Sequence, residues 1–212
     1  MASHQNTSGF DPQSSSREVN VQISSADLEA LKNGKYNLCF AKNLNDEYNV
    51  VWQCYPDYLT SNYFSWDLEF QLFGTNTFIP ENMIKTITNV QDCDLGMVCL
   101  LDEIGLLEVQ RSGGTTNKLT INNEYGFIHS GVKQFSTGID GTVISSPIYV
   151  ARTKELKGDI LLAPKEIVRV WFQQNIQTST MISGKPSNSI DLDLTLNKTI
   201  ACVYEDQKWS II

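Results

Sequence analysis

YNVVWQCYPDYLTSNYFSWDLEFQLFGTNTF, residues 48–78, is the stretch of sequence that decides the fold. Its 31 positions hold ten of the 21 aromatic residues in the chain. Aromatic and β-branched residues at short spacing, broken by Gly, Pro and Asn, are typical of packed strands. Within the stretch, residues 66–73 alternate between apolar and polar side chains, so that Trp66, Leu68, Phe70 and Leu72 share one face. This alternation predicts a half-buried antiparallel strand.

Short apolar runs separated by Gly and Asn continue to the end of the chain and predict further strands. Residues 35–53 read as a hairpin whose turn is the polar sequence NLNDE. The other runs are EVNVQI, MIKTIT, MVCLL, LLEVQ, NKLTI, GTVIS, PIYVA, DILLA, IVRVWFQ, SIDLDLTL, TIACVYE and KWSII. The pattern predicts a mostly β protein, an antiparallel β-sandwich or barrel-like sheet with one short N-terminal helix.

The helix is predicted in SSADLEALKNGK, residues 24–35. Ser24 can cap the first turn, and Asp27 is placed three residues later as the acid of a capping box. Leu28 and Leu31 share one face at i, i+3 spacing. Gly34 suits the left-handed conformation that often ends a helix.

The chain divides into a polar tail and one β-rich domain. Residues 1–17 are Ser-rich and have little apolar character, which predicts a flexible tail. Residues 18–212 are expected to form a single domain, because all-β domains of this length are often undivided. The tail lacks the features of a signal peptide, so we expect a cytoplasmic protein, or a secreted one only if a signal has already been removed.

The protein is acidic, with a formal net charge of −8 and a pI of about 4.7. Its 16 Lys and Arg residues are scattered, so we expect no nucleic-acid partner. No apolar run approaches the length of a transmembrane segment. The five cysteines are an odd number without a recognisable framework, which predicts free thiols.

The aromatic residues around Pro56 are the first candidates for a binding site. Pro56 and Asp57 interrupt the strand pattern, which places Tyr55, Tyr58, Tyr63 and Phe64 on a predicted loop. Tyrosine rings on a loop suit sugar rings, which stack on aromatic faces, or membrane interfaces, where the hydroxyl stays hydrated. Burial of these rings against the protein's own sheets is the alternative. As hydrogen-bonding neighbours of the four rings we expect Asp57, Asn62 and His129.

A second candidate region is residues 123–142, which are rich in Gly and include Tyr125, Phe127, His129 and Phe135. Extended loops on a rigid β-scaffold often carry binding residues, and we expect Tyr125 and His129 to contact the ligand there. A packed surface loop is the alternative. His129 is the one histidine outside the tail, and no nucleophile motif accompanies it.

Metal or cofactor chemistry is not indicated by any motif, and no catalytic residue is assigned. Asp92, Cys93, Asp94 and Cys99 are close in sequence but lack the spacing of a zinc site. Asp191 and Asp193 could hold calcium, but they fit better as the solvated face of a strand whose Leu192, Leu194 and Leu196 point inward.

The leading functional hypothesis is therefore a non-catalytic module that binds a carbohydrate or an amphipathic surface, as lectins and β-rich cytolysins do. One alternative is an enzyme of glycosidase or cyclase type that uses carboxylates in a shaped apolar pocket. The other is an interaction or structural protein that forms a homo-oligomer through exposed strand edges.

Overall fold

The computed structural model describes residues 16–110 and 113–212. In chain order its elements are β1 (Arg17–Ile23), α1 (Ser25–Asn33), β2 (Asn37–Leu44), β3 (Gln53–Tyr55), β4 (Ser61–Thr75), β5 (Gln91–Asp92), β6 (Val98–Leu101), β7 (Leu107–Gln110), β8 (Leu119–Asn123), β9 (His129–Thr137), β10 (Val143–Val150), β11 (Gly158–Leu162), β12 (Pro164–Gln173), β13 (Ser189–Asp193), β14 (Thr199–Glu205) and β15 (Lys208–Ile211). The protein is mostly β, as predicted. Within the described ranges, no helix has the length and apolar character needed to cross a membrane.

The strands form three sheets in a β-sandwich-like arrangement. The largest has seven strands in the order β10-β9-β4-β1-β14-β15, with β5 paired to β4. Two four-stranded sheets have the orders β11-β8-β6-β7 and β13-β12-β2-β3. Most neighbours are antiparallel, but β1 and β14 are parallel, as are β6 and β8. The predicted fold class is confirmed, and these two parallel pairs are a detail that the sequence pattern did not indicate.

Aromatic rings join the seven-stranded sheet to the sheet that contains β2. Phe40 of β2 stacks on Phe64 of β4, with ring centres 4.3 Å apart. Trp52 lies edge-on to Phe64 at 5.0 Å and to Trp66 at 5.6 Å. All four side chains are buried. The aromatic residues of the stretch 48–78 thus form the contact between two layers, which is why this stretch decides the fold.

The helix forms where its capping residues predict it. The Ser24 hydroxyl accepts a hydrogen bond from the backbone N–H of Asp27, and it donates one to Asp27 Oδ2 at 2.7 Å. The helix end differs from the prediction, because Gly34 has a right-handed backbone with φ of −77°. The left-handed position is Lys35, with φ of 54°. Glycine is favoured at position 34 because a side chain would collide with a neighbour: a Cβ there would lie 2.8 Å from the Tyr36 ring.

Three strand predictions need correction. Residues 83–88, predicted as a strand, form only an isolated bridge between Met83 and Thr180. GTVIS and PIYVA are one strand, β10, with an irregularity in its pairing at Pro147. Leu196, expected to pack inward, is 94% exposed because β13 ends at Asp193.

Residues 1–15 of the predicted tail lie outside the described residues. The tail was expected to extend through Arg17, but Arg17 already belongs to β1 and pairs with Trp66 of β4. The first strand therefore begins at Arg17, one residue before the predicted domain start at Glu18.

Candidate functional site

The four candidate stacking residues do not lie together on a loop. Tyr63 and Phe64 belong to β4, where burial alternates along the strand, so Phe64 is buried and Tyr63 is 55% exposed. Tyr55 ends β3 and is half-buried. Tyr58 does lie between β3 and β4, but its ring is buried. Of the four, Tyr63 is thus the one that offers most of its ring to solvent.

Two of the three expected hydrogen-bonding neighbours, Asn62 and His129, have structural partners. Asn62 is buried, and its side chain accepts from the backbone N–H of Leu59 and donates to the carbonyl oxygens of Leu59 and Val21. Its amide group therefore fixes the start of β4. Asp57 is exposed.

Residues 123–142 are not an extended loop, because β9 occupies their centre, between β4 and β10. Gly131, interpreted as a loop residue, lies directly opposite Phe73 in the β4–β9 pairing. Its missing side chain makes room for the Phe73 ring, since a Cβ at Gly131 would lie 2.2 Å from that ring. His129 begins β9 and is buried, with Nδ1 2.8 Å from the carbonyl oxygen of Ala151. Tyr125 precedes the strand and is partly exposed.

A cavity of about 600 Å³, here called the aromatic cavity, lies between α1, the end of β12 and β14. Its aromatic lining consists of Tyr36, Phe172 and Tyr204, and the buried Trp171 lies next to Phe172 on β12. Its volume falls in the range of about 300–1,000 Å³ that is typical of small-molecule sites. The cavity combines faces on which a ring can stack with the polar groups described next.

The polar lining comes from four separate segments. Asp27 enters from the first turn of α1, where Oδ2 already accepts the Ser24 hydroxyl. Asn188 donates a hydrogen bond to the Tyr204 hydroxyl at 3.2 Å. Burial, and then the negative charge of Asp27, raise the pKa of Tyr204. The remaining polar side chains of the lining are Gln173, Ser187 and Gln207.

Packed rings support the aromatic cavity from behind. Phe172 stacks on Trp209 with ring centres 5.4 Å apart and planes 11° apart. Tyr58 lies 5.5 Å from Phe172, and its hydroxyl donates to the carbonyl oxygen of Tyr36 at 2.9 Å. Tyr58, expected from the sequence to contact a ligand, therefore supports two residues that line the cavity.

A second cavity, of about 650 Å³, adjoins the first. Gln173 and Pro186 line both cavities, so these two residues form a common wall. The rest of the second lining is mainly polar and comes from residues 175–185 together with Glu81 and Met83. The two cavities therefore form one interrupted groove along the end of β12.

Apolar side chains are exposed on three loops beside the sheet β11-β8-β6-β7. Ile104, Phe127 and Leu156 are 85%, 68% and 61% exposed. The Asn123 side chain holds two of these loops together by donating to the carbonyl oxygens of Gly126 and Leu156. We call the exposed side chains of Ile104, Tyr125, Phe127 and Leu156 the apolar loop surface.

The described residues contain no group of three or more His, Cys, Asp and Glu side chains arranged to hold a metal ion. Asp191, a calcium candidate in the sequence, accepts two hydrogen bonds from Arg169, at 2.7 and 2.8 Å. Its charge is therefore already paired.

The aromatic cavity was not predicted, because its residues come from segments far apart in the sequence. Tyr36 comes three residues after the end of α1, and Pro186, Ser187 and Asn188 belong to the polar segment that precedes β13. Both are signals of a surface loop that can carry function. Their proximity follows from the pairing of β2 with β12, which brings Asn37 next to Gln173.

The sequence matches no family model, and no curated protein or solved structure shows significant similarity to it.

Proposed function

We propose that the protein is a non-catalytic carbohydrate-binding module and that the aromatic cavity is its binding site. The observation that carries the proposal is the composition of this cavity, in which Tyr36 and Phe172 accompany a carboxylate and several amide groups. Sugars present apolar C–H faces and a rim of hydroxyl groups. Aromatic faces suit the former, and Asp27, Asn188 and Gln173 can accept from or donate to the latter.

The polar lining favours binding over hydrolysis. Glycoside hydrolysis generally uses two carboxyl groups on opposite sides of the scissile bond. Among the described residues that line the aromatic cavity, Asp27 is the one with a carboxylate. A single acid can orient a hydroxyl group but lacks the partner that this mechanism needs.

The shared wall of the two cavities favours a ligand longer than one sugar. A chain could place one residue in the aromatic cavity and pass over Gln173 and Pro186 into the second. Oligosaccharides are therefore expected to bind more tightly than the corresponding monosaccharides, because more polar and aromatic contacts are made.

Tryptophan fluorescence provides the test. Trp209 stacks on Phe172, which lines the aromatic cavity, and the buried Trp171 is the chain neighbour of Phe172, so a bound sugar should change the emission. The protein is titrated with a panel of neutral and acidic mono- and oligosaccharides. We expect a saturable change with one class, and loss of the Tyr36 ring in Tyr36→Ala should weaken binding about tenfold, or about 1.4 kcal/mol.

Tyr63→Ala is the matched control. Tyr63 is also an exposed tyrosine, but it lies on β4 and not among the residues that line either cavity. Its removal should leave the affinity unchanged. A flat response to the whole panel, or equal losses in the two variants, would contradict the assignment of the aromatic cavity.

The apolar loop surface supports a second candidate function, which is binding to an amphipathic surface such as a neutral lipid bilayer. Aromatic and aliphatic side chains on adjacent loops can insert among lipid headgroups, and the net charge of −8 disfavours anionic lipid. Sedimentation with phosphatidylcholine vesicles tests this. We expect Leu156→Ser to reduce vesicle binding several-fold and Leu196→Ser, at a still more exposed leucine elsewhere, to leave it unchanged. Absence of the wild-type protein from the vesicle pellet would reject this function.

A further inference from the structure

Two thiols face each other across neighbouring strands. Cys39 of β2 and Cys54 of β3 are direct partners in an antiparallel pair, and their Sγ atoms are 3.3 Å apart. Partners in such a pair have Cα atoms about 4.5–5.5 Å apart. This spacing lies within the range of about 4.4–6.8 Å that disulfides require. A bond between the two sulfurs therefore needs side-chain movement of little more than about 1 Å and no rearrangement of the strands.

The two thiols differ in their exposure to solvent. Cys39 is fully buried, whereas Cys54 is partly exposed at the end of the sheet. The hydrogen bond with Cys39 lowers the pKa of Cys54, which favours its thiolate, and burial raises the pKa of Cys39. Because the thiolate is the reactive species, Cys54 is suited to react first and Cys39 to follow.

We propose that Cys39 and Cys54 are an oxidative modification site. They form a reversible disulfide with each other, and the oxidant is a low-molecular-weight disulfide such as oxidised glutathione. The Cys54 thiolate attacks one glutathione sulfur, breaking its S–S bond and releasing one glutathione thiolate. Cys39 then gives its proton to the released glutathione thiolate and attacks Cys54 Sγ in the mixed disulfide, which breaks the bond to glutathione and releases the second glutathione as a thiolate. Two protein thiols are oxidised by two electrons, and one glutathione disulfide is reduced to two thiols.

The other cysteines lack this combination of proximity and access. Cys93, Cys99 and Cys202 are all buried. Cys93 and Cys99 shift each other's pKa in opposite directions, up for Cys93 and down for Cys99, so they form an internal comparison, a second pair of neighbouring thiols that is shielded from solvent. Reaction is therefore expected at the β2–β3 pair alone.

Oxidation removes one contact beneath the second cavity. Cys54 Sγ donates to the carbonyl oxygen of Ile176 at 3.4 Å, and Ile176 lines that cavity. A disulfide has no S–H group, so this hydrogen bond is lost. Two others remain, from the Asn37 side chain to the same carbonyl and from the Cys54 backbone to Thr178. The modification thus alters the support of residues 176–178 without detaching them.

Thiol counting on the full-length protein tests the proposal. The native protein is incubated with oxidised glutathione, denatured, alkylated with iodoacetamide and weighed by mass spectrometry. Untreated protein should carry five alkylated cysteines, and oxidised protein three, because two of the five are joined. Peptide mapping should link Cys39 to Cys54, and dithiothreitol should restore all five.

Cys39→Ser and Cys54→Ser should each abolish the disulfide, whereas Cys202→Ser should retain it. With Cys39→Ser, a stable glutathione adduct on Cys54 is expected, since the resolving thiol is gone; this readout requires a folded variant, checked by circular dichroism. If Cys39→Ser does not fold because the serine hydroxyl disrupts the core, Cys39→Ala replaces it in the same measurement. Five alkylated cysteines after treatment of the wild type, a stable glutathione adduct on it, or a Cys93–Cys99 link would overturn the proposal.

Discussion

Lys42 is fully buried between two sheets, where its ammonium group lies 2.9 Å from Glu166 Oε2 and 4.4 Å from the centre of the Trp66 ring. Trp66 Nε1 donates to the same carboxylate oxygen at 2.7 Å. Three strands, β2, β4 and β12, therefore meet at one polar contact inside an aromatic core. Burial lowers the pKa of Lys42 to about 8, and the attraction of Glu166 only partly opposes this effect. Burying such a charge is costly even when it is paired.

The lowered pKa predicts an unusual pH dependence. Between about pH 8 and the value of about 10.4 for an unfolded lysine, the unfolded chain holds a proton that the folded protein has released. The free energy of unfolding contributed by Lys42 therefore rises with pH. Relative to Lys42→Met, the wild type should gain about 2 kcal/mol between pH 7.5 and 10, measured by urea denaturation.

Lys165→Met is the control for removing one positive charge, because Lys165 lies on β12 but pairs with Asp46 at the surface. A difference between wild type and Lys42→Met that stays constant over this pH range would show that Lys42 keeps an ordinary lysine pKa in the folded protein.

At the scale of elements, β9 shows how a glycine can be misread. Glycines in residues 123–142 favoured a loop prediction, yet β9 pairs with both β4 and β10 in the largest sheet. The deciding fact is the cross-strand partner of Gly131, the bulky Phe73. The sequence alone does not show which residue lies opposite Gly131, because the pairing register depends on contacts between residues far apart in the chain.

Gly131→Ala should consequently destabilise the protein by about 1–3 kcal/mol, the usual cost of overpacking. The added methyl group would overlap the Phe73 ring, whose nearest atom lies 2.2 Å from the Cβ position. Thermal denaturation measures the effect. Gly184→Ala is the matched control and should not cause this loss by overlap, since no heavy atom lies within 4 Å of the Cβ position at Gly184.

The double variant Gly131→Ala with Phe73→Leu should lose less stability than the sum of the two single changes, because the smaller side chain makes room. Equal melting temperatures for Gly131→Ala and Gly184→Ala would show that β4 and β9 are not paired in this register.

Much of the local structure could be predicted. Alternation placed Trp66, Phe70 and Leu72 on a buried face, and the capping pair Ser24 and Asp27 marked the helix start. Both signals are local, since side-chain period and capping depend on residues only a few positions apart.

The candidate site could not be predicted, because its residues meet only in the folded molecule. Asp27, Tyr36, Phe172 and Tyr204 come from four different segments. The aromatic cluster drew attention to residues 55–64, but alternation in β4 turns Phe64 inward. Aromatic density thus identified the core and only indirectly, through Tyr58, the lining of a cavity.

At the scale of the whole molecule, the three sheets share one hydrophobic core. Trp52 illustrates this, since it precedes β3 and packs against Phe64 and Trp66 of the seven-stranded sheet. The largest group of buried side chains draws members from all three sheets. We therefore expect the sheets to lose their structure together when the protein unfolds, and not one after another.

The parallel pairing of β1 with β14 has a consequence for biosynthesis. Glu18 lies beside Thr199 of β14, so β1 gains its second neighbouring strand only after nearly all of the described chain has left the ribosome. Until then, β1 can pair with β4 alone, and one row of its backbone groups stays open to other partners. The nascent chain thus carries a strand with one open edge until β14 has been made, and chaperones that shield extended segments would be of most use to it during that interval.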